Sequence, residues 1–170
     1  GSLRDLFDLT RLYGDTTFLV YEDESYTYAQ VYEIADGVTA ALAGRYGVQK
    51  GDRVAIAMRN YPEWIFAYLG AIAAGAVVVS MNAWWTAEEM AYGLEDSGTT
   101  VLIADLERIE RSRESAARLG IATIGVRLGD HAPIEGVDRW EDVVVPGAER
   151  PDVAIGPDDE AGAGLEGLFS

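Results

Sequence analysis

A long uncharged stretch in the middle of the chain constrains the fold most. Residues 64–87 contain no charged side chain, and about 20 apolar residues suffice to cross a bilayer. Glycines and polar residues interrupt this stretch, however, and no cluster of lysine or arginine flanks it, as is usual for a membrane span. We therefore interpret it as a buried helix followed by a buried strand, the β-branched run Val77–Val79.

Short apolar strands alternate with helical patterns along the chain. Strands are predicted at 17–21 and 25–28, forming a hairpin, and then at 53–58, 77–79, 100–104 and 121–126. Capping boxes at Thr27/Gln30 and Thr86/Glu89 mark two helix starts, and Pro62 suits the first turn of another helix. The alternation predicts an α/β fold of Rossmann- or flavodoxin-like βαβ units around a mostly parallel sheet, with an N-terminal β-hairpin.

The pattern of strands and helices dissolves after residue 127. Trp140 and Val143–Val145 indicate one last packed piece, and the prolines and glycines that follow indicate a linker. We therefore place an α/β subdomain at residues 1–145 and a linker with a C-terminal tail at residues 146–170.

Charge and composition exclude several classes of function. The net charge of −16, from 13 basic and 29 acidic side chains, argues against nucleic acid as a partner. The chain has no cysteine, which excludes thiolate metal sites and suits a reducing compartment such as the cytoplasm. The only histidine, His131, has neither a second histidine nor a G-x-S-x-G nucleophile to act with, and is expected at the surface. We predict no metal ligand in this chain.

Two segments look like phosphate-binding loops but lack the required surroundings. Gly162–Gly167 fits G-x-G-x-x-G, yet an acidic linker precedes it instead of a strand, and no helix follows. Ser97–Thr100 resembles the core of a Ser/Thr/Gly loop without a nearby lysine. Gly98 is better interpreted as the end of a helix.

The adjacent indoles of Trp84 and Trp85 are a candidate functional feature. They follow directly after a buried strand, at the edge where α/β sheets form ligand crevices. Aromatic side chains most often serve in cores and interfaces. Two interpretations of the pair remain open. The indoles could pack in the core or in a subunit contact, or they could form the wall of an apolar ligand pocket.

Several segments in one order resemble the N-terminal portion of adenylate-forming enzymes, and within that superfamily the fatty acyl-CoA ligases. They are Gly51–Ile56, Asn60–Trp64, Leu69–Ala71, Ala74–Val79, Met81–Asn82 and Thr86–Met90. The resemblance extends from near Leu3 to near Glu160. The Trp84–Trp85 pair is similar to a feature of only some of the acyl-CoA ligases.

The resemblance implies a two-step ligation. ATP and Mg²⁺ would activate a fatty acid or another carboxylic acid to an acyl-adenylate, and coenzyme A would then accept the acyl group. Family members carry a Thr-Ser-Gly-Thr-Thr-Gly-x-Pro-Lys phosphate loop after an aspartate-rich stretch, and this chain instead has Gly162–Ser170 there. We therefore expect a fragment that carries none of the family's catalytic residues and acts with its own missing domains. It would bind no cofactor tightly by itself and would be inactive alone.

Two other classes of function remain open. One is a non-catalytic protein-interaction module of the same fold, which would use Trp84, Trp85 and the acidic second half. The other is a small nucleotide-binding protein of flavodoxin-like shape, which the lack of a phosphate-binding loop disfavours.

A hypothesis of peripheral membrane contact follows from the resemblance. Enzymes similar to the fatty-acid ligases often work beside membranes, and Arg4 and Arg11 could touch anionic lipid. Each arginine would contribute about 1 kcal/mol near such a surface.

Overall fold

The computed structural model describes residues 14–149. The chain begins with a hairpin, β1 (Thr17–Tyr21) and β2 (Glu24–Thr27), whose strands pair antiparallel. Helix α1 (Tyr28–Ala40) follows without a loop and continues into a π-helical turn, Ala41–Arg45. The predicted second strand included Tyr28, but the Thr27 capping box makes Tyr28 the first helical residue.

Five further strands form one parallel sheet with the order β4-β3-β5-β6-β7. The strands are β3 (Arg53–Ala57), β4 (Val77–Ser80), β5 (Thr99–Asp105), β6 (Ala122–Val126) and β7 (Val137–Arg139). The helices are α2 (Pro62–Ala73), α3 (Ala87–Ser97), α4 (Leu106–Leu119) and the single turn α5 (Trp140–Val143). The predicted α/β fold, with a parallel sheet and an N-terminal hairpin, is confirmed.

Helices cover both faces of the sheet. Alternate residues of each strand point to opposite faces, so Val54 and Ile56 of β3 join one core cluster and Ala55 and Ala57 join the other. Helices α1 and α2 pack on the first face, and α3 and α4 on the second. The sheet is therefore the middle layer of three.

A close helix contact brings α1 against α2. Thr39 lies fully buried between them and donates its hydroxyl hydrogen to the Gly70 carbonyl oxygen at 2.8 Å. A Cβ atom at Gly70 would lie 2.4 Å from the Cβ of Val38. The two helices approach this closely because Gly70 has no side chain.

Three details differ from the predictions. Val77 and Val78 are buried, but Val79 is only half-buried because β4 is the edge strand of the sheet. Strand β7, which pairs with Thr123–Gly125 of β6, was not predicted. Its three residues include one apolar side chain, so its position depends on pairing with β6 rather than on a local pattern. Val144 of the predicted last piece is buried, and Val145 is 60% exposed.

The uncharged stretch is a helix and a strand of the core, as predicted. Within residues 14–149, no helix is both long and apolar enough to cross a membrane.

Candidate functional site

The carboxyl edge of the sheet carries the features that could form a site. Counted along the chain, the five parallel strands have the order 2-1-3-4-5, which is that of flavodoxin-like folds. The direction of winding reverses between β3 and β5, and ligands of such folds bind at the carboxyl ends of the strands near this point. The loops after β3, β4, β5 and β6 therefore form the edge at which a ligand would bind.

Charged side chains fill the crevice between β3 and β5. Asp105, the last residue of β5, accepts a hydrogen bond from the Arg59 backbone N–H at 3.0 Å. Its carboxylate also caps α4 and pairs with the guanidinium of Arg108 at 3.1 and 3.2 Å. Arg108 is fully buried, and Glu107 lies 3.2 Å from the same Arg108 Nη1 atom. The crevice is thus occupied by a paired ionic cluster.

The same cluster positions the segment that carries the two tryptophans. The Nε and Nη2 groups of Arg108 donate to the Ala83 carbonyl oxygen at 2.8 and 2.7 Å. Arg111 donates to the same oxygen at 3.0 Å. Three guanidinium N–H groups therefore hold one backbone carbonyl immediately before Trp84.

The structure places Trp84 and Trp85 in different environments. Trp84 is 78% exposed, and its backbone N–H donates to the Asn82 side-chain oxygen at 2.8 Å. Trp85 is half-buried and packs against the second core cluster, over Gly93 of α3. Neither indole lines the cleft described next.

An open cleft of about 340 Å³ lies beside the crevice, on the β4 side. Leu19–Tyr21 of the hairpin form one wall, and Tyr61, Trp64 and Ile65 at the start of α2 form another. Ser80 and Met81, at the carboxyl end of β4, also line it, together with Met58 and Asn60 after β3.

The cleft is electrically neutral. None of its twelve lining residues is charged, although the chain as a whole carries −16. In the part of the chain that the structure describes, the Asn60 amide and the Ser80 hydroxyl make no hydrogen bond. The site thus combines aromatic and aliphatic walls with two free neutral polar groups.

Arg127 joins the hairpin to the sheet. It follows β6 with a φ of 54°, in the left-handed region that few non-glycine residues adopt. Its guanidinium donates two hydrogen bonds to Glu24 at 2.9 and 3.0 Å, and its Nε group donates to Glu63 at 2.8 Å. The same guanidinium lies 5.2 Å from the ring centres of both Tyr21 and Tyr61.

These contacts shift the proton affinities around Arg127. The hydrogen bonds from Arg127 and Tyr26 hold the pKa of Glu24 below its usual value. Burial, together with the hydrogen bond to Glu24, raises the pKa of Tyr26 to about 12. The hydrogen bonds to Glu24 and Glu63 raise the pKa of Arg127 further above its usual value. All three groups therefore keep their ordinary charge states near neutral pH.

The remaining sequence candidates lie elsewhere. Gly98 ends α3 in the left-handed conformation, as predicted. His131 is exposed, with Nδ1 2.7 Å from the Ala132 carbonyl oxygen. Arg4, Arg11 and Gly162–Gly167 lie outside the described residues.

The described residues do not fit a metal cofactor. Across positions 14–149 no group of three or more histidine, cysteine, aspartate or glutamate side chains could hold a metal ion. The carboxylates near the candidate site are instead paired with arginines. We assign no residue of this chain to Mg²⁺ or to the phosphates of ATP.

The ion-pair clusters around Arg108 and Arg127 were not predicted from the sequence. Asp105 and Arg108 had a local signal, an aspartate directly after a buried strand followed by an arginine one helical turn later. Arg127 had none, because its partners Glu63 and Glu24 are 64 and 103 residues away in the sequence.

Comparison with known proteins identifies the family. Residues 8–162 match the model of the AMP-binding enzyme family. The chain is 35% identical over 136 residues to 4-coumarate–CoA ligase 3 of Oryza sativa subsp. japonica, covering 80% of this chain and 24% of that protein. It is also 35% identical over 142 residues to the crotonobetaine/carnitine–CoA ligase of Salmonella paratyphi A, covering 80% of this chain and 25% of that protein.

A solved structure has the same fold. The benzoate CoA ligase of Burkholderia xenovorans LB400 superimposes with a TM-score of 0.79 at 25% sequence identity, over 94% of this chain and 31% of that one. The chain thus spans about a quarter of the length of the curated relatives it matches. From the family match and the shared fold we conclude that the chain belongs to the AMP-binding enzyme family.

Proposed function

We propose that this chain is the N-terminal part of an ATP-dependent acid–CoA ligase. In that reaction a carboxylate oxygen attacks the α-phosphorus of ATP and pyrophosphate leaves, which gives an acyl-adenylate. The thiolate of coenzyme A then attacks the acyl carbonyl, and AMP leaves as the thioester forms. One observation carries the proposal: two relatives with different acids in their names, both CoA ligases, are each 35% identical over 80% of the chain.

The role proposed for the chain within this enzyme is that of a scaffold. Residues 1–145 would be the α/β subdomain, since the last buried apolar side chain among the described residues is Val144. Residues 146–170 would be a linker and tail. The chain would bind no ATP or coenzyme A tightly alone, because the crevice between β3 and β5 is filled by paired side chains.

We further propose a fatty acid as the substrate of the parent enzyme. Support comes from the resemblance of the segments around Asn60–Trp64 and Thr86–Met90 to the fatty acyl-CoA ligases, and from the Trp84–Trp85 pair. The curated relatives are named for other acids, 4-coumarate and crotonobetaine or carnitine, so this assignment needs its own experiment.

The scaffold role is tested on the chain itself. Incubation with ATP, Mg²⁺, coenzyme A and a panel of carboxylic acids is expected to release no pyrophosphate above a control without protein. Acid-dependent release of pyrophosphate would overturn the scaffold role. The coding sequence beyond residue 161 gives a second test, because a Thr-Ser-Gly-Thr-Thr-Gly-x-Pro-Lys loop there would support the ligase, and a stop codon would favour a protein-interaction module.

The choice of acid is tested on the parent enzyme. Its acyl-adenylate can be trapped with hydroxylamine in the presence of fatty acids of several lengths, 4-coumarate, benzoate or crotonobetaine. We expect a higher kcat/KM for at least one fatty acid than for any of the other acids. A preference for an aryl acid would overturn the fatty-acid assignment and leave the ligase proposal intact.

Contact with a membrane surface is a separate part of the proposal. The parent enzyme is expected to float with anionic vesicles, and the double substitution Arg4→Ala and Arg11→Ala is expected to reduce the bound fraction. Equal flotation with neutral and anionic vesicles would contradict a role for these two arginines.

A further inference from the structure

We propose that the cleft between the hairpin and α2 is a binding site for a small uncharged aromatic ligand that carries a hydrogen-bonding group. The cleft lies at the carboxyl ends of β3 and β4, the edge of a parallel sheet where ligands commonly bind. Its volume of about 340 Å³ is at the lower end of the range of about 300–1,000 Å³ for small-molecule sites.

The aromatic walls of the cleft favour a flat ring. The rings of Tyr21 and Tyr61 form a T-shaped pair with their centres 5.9 Å apart. The Trp64 ring stacks on that of Tyr68 with a distance of 5.4 Å between ring centres. Arg127 contacts both tyrosine rings and is itself bound to two carboxylates. The walls are therefore held in place before a ligand arrives, which lowers the entropic cost of binding.

The lining of the site disfavours an anionic ligand. A carboxylate or phosphate that loses its hydration needs a cation or several donors to replace it, and no lysine or arginine among the described residues lines the cleft. The guanidinium of Arg127 is already paired with Glu24 and Glu63. A neutral ligand avoids this desolvation cost.

Two polar groups would orient the ligand. Asn60 offers an amide donor and acceptor, and Ser80 offers a hydroxyl, and neither bonds to another described residue. They belong to neighbouring strand ends, since Ile56 of β3 pairs with Ser80 of β4. A ring with one amide or hydroxyl substituent can satisfy them while its faces pack on the aromatic walls.

The methionines give a direct readout of occupancy. The chain has three. Met58 lines the cleft just after β3, and Met90 is fully buried in the second core cluster. Met81 also borders the cleft, but its methyl group lies against Gly93 in the cluster that contains Met90. The experiment is a titration of the ¹³C-methyl-methionine chain with benzamide, followed by NMR. We expect the Met58 signal to shift and saturate, and the Met90 signal to stay in place.

Benzoate is the matched probe for charge, because it has the same shape as benzamide and carries a negative charge at neutral pH. We expect it to bind at least about tenfold more weakly. Equal binding of the two probes would overturn the claim of a neutral site. Absence of saturation with benzamide, or an equal shift of Met90, would overturn the site itself.

Substitutions locate the polar contact. Asn60→Leu keeps the size of the side chain and removes the amide, and it is expected to weaken benzamide binding by about fivefold or more. Gln49→Leu removes an exposed amide outside the cleft and is expected to leave binding unchanged. Unchanged affinity in Asn60→Leu would contradict the orienting role. All these outcomes are independent of whether the parent enzyme is a ligase.

Discussion

Arg108 donates two hydrogen bonds to the carbonyl oxygen of Ala83, 25 residues earlier in the chain. The remaining terminal nitrogen of the same guanidinium binds Asp105. One buried side chain thus links the end of β5, the start of α4 and the loop that carries Trp84.

Arg108→Lys is expected to destabilise the chain by about 3 kcal/mol, because an ammonium group cannot bond Asp105 and the Ala83 carbonyl in the same forked geometry. Arg111→Lys is the control: Arg111 is 34% exposed, and the change is expected to cost less than about 1 kcal/mol. Urea unfolding followed by circular dichroism measures both. A midpoint for Arg108→Lys close to that of the wild type would show that the buried cluster contributes little.

The two adjacent tryptophans are expected to differ in their contribution to stability. Trp85→Ala removes packing from the second core cluster and should cost about 2 kcal/mol, since the indole is only half-buried. Trp84→Ala should change the free energy of unfolding by less than about 0.5 kcal/mol. Thermal and urea unfolding of the two variants compare them, and a large loss in Trp84→Ala would indicate packing that the structure does not show.

Substitution by alanine is expected to have opposite effects on stability at Gly70, inside the contact between α1 and α2, and at Gly44, outside it. Gly70→Ala is expected to destabilise the chain by about 1–3 kcal/mol, because its new methyl group would meet Val38 and the Ala35 carbonyl oxygen. Gly44→Ala, in the π-helical turn, meets nothing within 4 Å and is expected to stabilise by about 0.4–1 kcal/mol. The measurement is the urea midpoint, and a neutral Gly70→Ala would imply that the helices can separate at little cost.

Glu24 is expected to make stability depend on acid pH. Its pKa is held below the usual value of 4.5 by Arg127 and Tyr26. Its contribution is therefore fully present above pH 4.5 and is lost as the pH falls through the lower pKa of the folded state. The wild type should be more stable than Glu24→Gln near pH 7, and the difference should shrink at more acid pH. A difference that grows on acidification would contradict this sign.

Arg127→Lys is expected to loosen the hairpin. The single ammonium group of lysine cannot bond Glu24 and Glu63 as the separate nitrogens of the guanidinium do. We therefore expect the free energy of unfolding to fall by about 1–2 kcal/mol, a loss limited by the partial exposure of Arg127. Arg118→Lys, at a pair in which both side chains are more than half exposed, should change stability by less than about 0.5 kcal/mol. Hydrogen exchange in β1 and β2 should rise in Arg127→Lys only, and unchanged exchange would show that other contacts suffice to hold the hairpin.

Local patterns predicted most elements between residues 17 and 126, because each of these elements has a strong signal in its own sequence. The capping boxes at Thr27 and Thr86 and the proline at position 62 start their helices in the structure as in the sequence. Strand β7 escaped prediction because Val137–Arg139 has no apolar alternation, and its pairing with Thr123–Gly125 exists only in the folded chain.

The candidate site was less accessible to sequence reasoning than the fold. The cleft needs the hairpin to fold against α2, and the contacts between them, such as Arg127 with Glu24 and Glu63, join residues that are distant in sequence. The tryptophan pair was visible as a candidate, but its sequence could not show that only Trp85 packs inward. Side-chain pairs across distant segments therefore account for most of what was missed.

Thr27 belongs to two elements. It is the last residue of β2, where it pairs with Thr17, and its hydroxyl caps α1. A slip of the hairpin by one residue would turn every side chain of the slipped strand to its opposite face. Because no loop separates β2 from α1, a shift of β2 along β1 would also have to move the first turn of the helix. The strand and the helix therefore cannot be displaced separately, since residue 27 belongs to both.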